Sequence, residues 1–113
     1  MADLIQIYTT TGSENEAKRI ADILLQKKLV ACVQVSGPIR SHYVWQGAFE
    51  ESTEWMCSIK TLAEQYSRVE AAIREVHTYD EPEIIAVAIS QASIGYAAWV
   101  SQCVNGGPKT SSE

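Results

Sequence analysis

Residues 29–60, LVACVQVSGPIRSHYVWQGAFEESTEWMCSIK, decide the fold of this 113-residue chain. From Leu29 the pattern sets Ala31, Val33 and Val35 against Val30, Cys32 and Gln34, the period-two alternation of a strand. Ser36-Gly37-Pro38 interrupts it. The extended pattern resumes from Ile39 to Trp45, with Ile39, Ser41, Tyr43 and Trp45 on one side and Arg40, His42 and Val44 on the other. Gln46-Gly47 offers a turn, and a third strand runs from about Phe49 to Lys60, where Trp55, Cys57 and Ile59 alternate with Glu54, Met56, Ser58 and Lys60. The two strands cover 17 and 12 residues, against a usual length of roughly 5–6.

Working outward, Leu4 to Thr10 is β-branched and aromatic, which suits a first strand. Ser13-Glu14-Asn15-Glu16 reads as a capping box, Ser13 being the N-cap and Glu16 reaching back. Ala17, Ile20, Ala21 and Leu24 follow at helical spacing, and Lys27-Lys28 close the helix where its dipole favours cations. Beyond the hairpin, Thr61 to Glu64 predicts a second capping box, and Leu62, Tyr66, Val69, Ile73 and Val76 form one apolar helical stripe. Ile84 to Ile89 has the low polarity of a buried strand. Tyr96, Trp99, Val100 and Cys103 predict a last short helix.

The order β-α-β-β-α-β plus a terminal helix predicts an α+β, ferredoxin-like split βαβ fold: an antiparallel sheet with two helices on one face. Right-handed crossovers place strands one and three in its centre. Residues 1–104 are expected to form the single domain, with 105–113 as a polar, disordered tail. Two helices cannot shelter so long a hairpin. Its outer part carries Tyr43, Trp45, Phe49 and Trp55, aromatic area costly to leave in water. An open edge of that kind also invites strand pairing. The ribbon is therefore expected to pack against its own copies in a closed ring. The alternative is a hairpin bent at Ser36–Pro38 that covers itself.

Composition narrows the class. An apolar fraction of 46% with 20% charged residues is that of a globular domain. A net charge of -5 argues against nucleic acid or an anionic membrane as partner. No run is long enough to span a bilayer, and no secretory leader pattern opens the chain. Cys32, Cys57 and Cys103 are odd in number and lie far apart in apolar segments, which points to reduced thiols and a cytoplasmic location.

The joint between the second helix and the fourth strand, His77-Thr78-Tyr79-Asp80-Glu81-Pro82-Glu83-Ile84, concentrates titratable side chains at a helix C-terminus. His77 is a metal candidate, because neutral imidazole suits copper and zinc and Glu81 and Glu83 lie close by in sequence. Its alternative role is structural, as a cationic side chain on the helix dipole. Cys32 is a second possible ligand, for Cu(I); its alternative is a small buried hydrophobe. No Ser-His-Asp or Cys-His arrangement is visible, and the turns at Gly12 and Gly47 lack the arginine that an anion-binding enzyme of this fold needs. An enzyme is not expected.

Together, Leu29–Val33, Ser41–Gly47 (SHYVWQG), Glu54–Thr61 (EWMCSIKT), His77–Ile84, and Tyr96 with Trp99-Val100 resemble the CutA divalent-cation tolerance proteins over nearly the whole chain. The resemblance implies a homotrimer, similar to the PII signalling proteins and held by strand pairing between long hairpins. It also implies a role in tolerance of copper or other divalent cations through metal binding. It places the hairpin of one subunit near the joint of the next, so that Tyr43, Trp45, Tyr79 and Trp99 would line an intersubunit cleft, with Lys60 and Glu83 supplying opposite charges. An aromatic-rich interface is the alternative reading of the same residues, and a PII-like small-molecule sensor the alternative function. The chain departs from the family at Thr78, usually Pro, and Asp80, usually Glu or Gln. Copper-binding members can carry a Cys at the end of the first strand and a second His beside the joint; Thr9 and Val76 stand there, leaving His77.

Overall fold

Alternation in Leu4–Thr11 builds the first strand, β1, of a computed structural model that describes residues 3–104. Ile5 and Ile7 point to one side of the sheet and Leu4 to the other. Helix α1 (Glu14–Gln26) begins at Ser13, whose hydroxyl accepts the Glu16 N–H at 3.1 Å. Glu16 does not complete a capping box. Its carboxylate accepts a bond from the Thr78 hydroxyl at 2.7 Å, tying the start of α1 to the distant joint. Ala17, Ile20 and Leu24 form the buried face of α1, as their spacing predicts.

Strands β2 (Cys32–Trp45) and β3 (Ala48–Leu62) form the long hairpin. β2 starts three residues later than its apolar run, because Leu29, Val30 and Ala31 are buried in the connection from α1. The Ser36–Pro38 interruption is a bulge: Ser36 faces Met56 and Ile39 faces Glu54, so β2 carries one extra residue there. Gly37 has φ +154°, and a Cβ on it would stand 2.6 Å from Trp55 Cδ1. Glycine is thus required for the bulge to close over the indole.

After β3 the chain takes a 3-10 turn at Ala63–Gln65 and enters α2 (Tyr66–Val76). The second capping box does not form. Thr61 remains in β3, where its buried hydroxyl donates to the Leu29 carbonyl at 2.6 Å, and no side chain caps the turn. Leu62 accordingly leaves the helical stripe and packs on the opposite face of the sheet. β4 (Ile85–Ala88) is followed by α3 (Ile94–Cys103), capped by the Ser93 hydroxyl.

All strand pairs are antiparallel and the order is β2-β3-β1-β4, with β1 and β3 central. This is the ferredoxin-like α+β fold with a long β2–β3 hairpin. The larger core lies under α1 and α2, where Ile7, Ile20, Leu24, Cys57, Ile59 and Ile73 meet. A smaller one on the other face joins Leu4, Ala31 and Leu62 to Val100 and Val104 at the α3 end.

Two apolar regions lie outside both cores. The hairpin arm beyond the bulge, part of a molecule 54 Å long, exposes Phe49 at 93% and Trp45 at 45%. β4 was expected to be a buried strand, yet as the sheet's edge it leaves Ile85 and Val87 about half exposed. Only the flanking Ile84 and Ile89 of the apolar run pack against the two cores.

Candidate functional site

A cleft of about 590 Å³ opens where the arm meets the joint. The arm contributes Ser41, His42, Tyr43 and Trp45; the joint contributes Tyr79, Asp80, Glu81 and Glu83. Thr10 at the end of β1 and Glu54 beside the bulge complete the lining. The joint reaches this position because α2 ends in an extended His77 (ψ 140°); within the joint, Pro82 is buried.

His77 fixes the joint to the sheet. Its Nε2–H donates to the Thr10 carbonyl at 2.7 Å, and its Nδ1 accepts the Tyr79 backbone N–H at 3.1 Å. Since one partner can only accept and the other only donate, this pattern requires the neutral Nε2–H tautomer. The cationic structural role read from sequence gives way to a neutral one. A metal at His77 would displace one of these backbone bonds.

Tyr79 is the pivot of the cleft. Its hydroxyl donates to Glu54 Oε2 at 2.7 Å, and its ring lies 4.8 Å from the His77 imidazole at 54°. Burial, then the adjacent Glu54 carboxylate, hold its hydroxyl well above the usual phenol range. Glu54 is 7% exposed. In sequence it reads as one polar member of an alternating strand; the fold buries it beside the bulge. Arg74 pairs with Glu81 at 3.2 Å from outside the lining, and His42 approaches Glu51 at 3.4 Å.

The residues expected at the site are divided. Tyr43, Trp45, Tyr79 and Glu83 share the cleft, whereas Lys60 and Trp99 lie elsewhere in the chain. Lys60 donates to the Gln34 side chain across the hairpin, and the Trp99 ring lies tilted against Tyr96 on α3, 5.6 Å between centroids. Cys32 is half-buried, opposite Lys60 at the level of Gln6. His77 bonds at Thr10, four residues farther along β1, roughly 13 Å at ~3.3 Å per residue. Thus the fold does not bring the two expected ligands together. Thr9 is fully buried and Val76 packs against the larger core. Among the described residues, no three His, Cys, Asp or Glu side chains are grouped so as to hold a metal ion.

Residues 5–103 match the CutA1 divalent ion tolerance protein family. The divalent-cation tolerance protein CutA of Archaeoglobus fulgidus is 38% identical over 98 residues, covering 87% of this chain and 95% of the relative. Human protein CutA is 36% identical over 95 residues, covering 84% of this chain but only 53% of the human protein. The solved structure of the Archaeoglobus protein, described as periplasmic, superimposes with a TM-score of 0.87 at 36% identity, over 90% of this chain and 99% of that one. The family match and the structural superposition thus extend over nearly all of the described residues, and the chain belongs to the CutA1 divalent ion tolerance protein family.

Proposed function

We propose that this chain serves divalent-cation tolerance as a cytoplasmic homotrimer that binds copper. The observation that carries the assembly is the exposed apolar surface on both the arm and β4. An arm laid along the β4 edge of a neighbour would cover both surfaces and close the open edges. Three free cysteines, Cys32, Cys57 and Cys103, suit a reducing compartment. His77 and Cys32 are the ligands proposed for copper, and Cys32 is the stronger of the two. Its thiol is partly accessible and soft enough for Cu(I), whereas both His77 nitrogens are engaged. Neither the Archaeoglobus nor the human relative is described as an enzyme, and no catalytic role is proposed.

Native mass spectrometry and copper calorimetry on the same samples test both halves. A trimer is expected, together with weaker copper binding in Cys32→Ser than in His77→Ala. Unchanged binding in both variants removes the ligand assignment and leaves the assembly intact. A stable monomer at micromolar concentration removes the assembly.

The cleft favours a second reading, a PII-like sensor of small molecules. Its volume of about 590 Å³ falls within the range of ligand sites, roughly 300–1,000 Å³. Its aromatic walls and a few polar groups match their usual chemistry.

A further inference from the structure

Three consecutive side chains of the joint reach three different elements. His77 Nε2–H donates to the Thr10 carbonyl on β1, the Thr78 hydroxyl to Glu16 on α1, and the Tyr79 hydroxyl to Glu54 on β3, each at 2.7 Å. All three partners belong to the same chain, so this clasp needs nothing from a neighbour. The His77 ring also makes a fourth bond, accepting the Tyr79 backbone N–H at Nδ1. That bond folds the chain back on itself, with the Tyr79 ring 4.8 Å from the imidazole and its hydroxyl at Glu54. Tyr79 lines the cleft, so the clasp sets one of the cleft walls.

The same bonds bear on metal binding. A neutral Nε2–H imidazole has one ring lone pair for a ligand, on Nδ1, and the Tyr79 N–H occupies it. A metal ion needs that kind of lone pair. Ligation through Nδ1 takes it from Tyr79. Ligation through Nε2 costs more, because the ring proton must move to Nδ1. Thr10 then loses its donor, and the Tyr79 N–H faces a second N–H. Thr10 is buried, and a buried backbone group deprived of its partner costs free energy.

We infer that His77 is a positioning residue that sets Tyr79 against Glu54, and that its ring is withheld from metal ions while the joint is closed in this form. The inference rests on the copper reading only where it narrows the ligands proposed there. His77 leaves that set, and Cys32 is unaffected.

The test compares the native protein with His77→Gln and His77→Ala. Glutamine is uncharged and carries both a donor and an acceptor, so it can serve Thr10 and Tyr79, yet it lacks the imidazole that suits copper and zinc. His77→Gln should melt within about 2 °C of the native protein, and His77→Ala should lose about 5 °C or more. Copper affinity measured by calorimetry should stay within about twofold in His77→Gln. Nitrogen-15 NMR of the native protein should show one ring with a protonated Nε2 and a bare Nδ1. Those signals should vanish in His77→Gln and stay unmoved when zinc chloride is added in excess. Equal losses of melting temperature in the two variants would overturn the positioning role, as would the opposite tautomer. Zinc-induced shifts of the His77 nitrogens, or a fall in copper affinity of about tenfold or more in His77→Gln, would overturn the exclusion of metal. If the native protein binds no copper, the copper reading fails by itself, and the melting, tautomer and zinc results still decide this inference.

Discussion

The inner and outer halves of the β2–β3 hairpin share one antiparallel ladder, but they meet different environments. Inside the bulge, Cys57 and Ile59 are fully buried beneath the helices; beyond it, Val44, Trp45 and Phe49 face outward. Backbone pairing is continuous on both sides apart from the single extra residue between Ser36 and Ile39. The ladder therefore supplies geometry, whereas coverage decides where the stabilising free energy lies. The inner half should govern the folding of the subunit and the outer half its assembly.

The sharpest way to break that division is Ile59→Ala. Ile59 sits among α1 and α2 side chains with no exposure, so its truncation leaves a cavity that the surrounding helices cannot fill. A loss of about 3–4 kcal/mol is expected, read as a lower urea midpoint at fixed protein concentration. A loss below about 1 kcal/mol would mean that the inner half is not the folding core.

Alkaline pH should act on the same half. Burial raises the Cys57 thiol from 9.0 to about 11. The native thiol holds its proton where the unfolded one has released it. The resulting stabilisation is complete below pH 9.0 and is lost as pH rises towards about 11. Two units correspond to at most about 2.7 kcal/mol. Cys57→Ala should flatten the fall in urea midpoint between those pH values. An equally steep fall in the variant would assign the effect to other groups, Tyr79 first among them, because its hydroxyl is also raised.

At the boundary, Gly37→Ala places a methyl group against Trp55 in a backbone conformation that L side chains rarely adopt. The expected cost is about 1–3 kcal/mol, with the Trp55 fluorescence shifted as the indole moves. Unchanged fluorescence and stability would show that the bulge is not what sets the register of the outer arm.

The element order was legible because the signals that specify it are local. Period-two and helical alternation, Ser13 as a cap, and the turn at Gln46-Gly47 each act within a few residues of one another. What the sequence hid depends on distant partners. Thr61 looks like a helix cap until Leu29, thirty-two positions away, claims its hydroxyl. Glu54 looks like one more polar strand residue until Tyr79 folds over it. For His77, the sequence picked out a residue of consequence but not the Thr10 carbonyl that occupies its ring. β4 shows a different limit: an apolar run reports that coverage is needed without saying which chain provides it.

Phe49→Ser separates the two halves with the smallest expected effect on the subunit. At 93% exposure the ring has little to lose within its own chain, so subunit stability should stay within about 0.5 kcal/mol. If a neighbour covers the ring, each contact forfeits about 1.5–3 kcal/mol, and dissociation on dilution should begin at concentrations about tenfold higher or more. Sedimentation and urea unfolding of one preparation measure both quantities. A variant that unfolds earlier while its assembly stays intact would mean that the arm folds back on its own subunit. In that case the aromatic ribbon would belong to the core, and the division between folding and assembling halves would fail where it is most exposed.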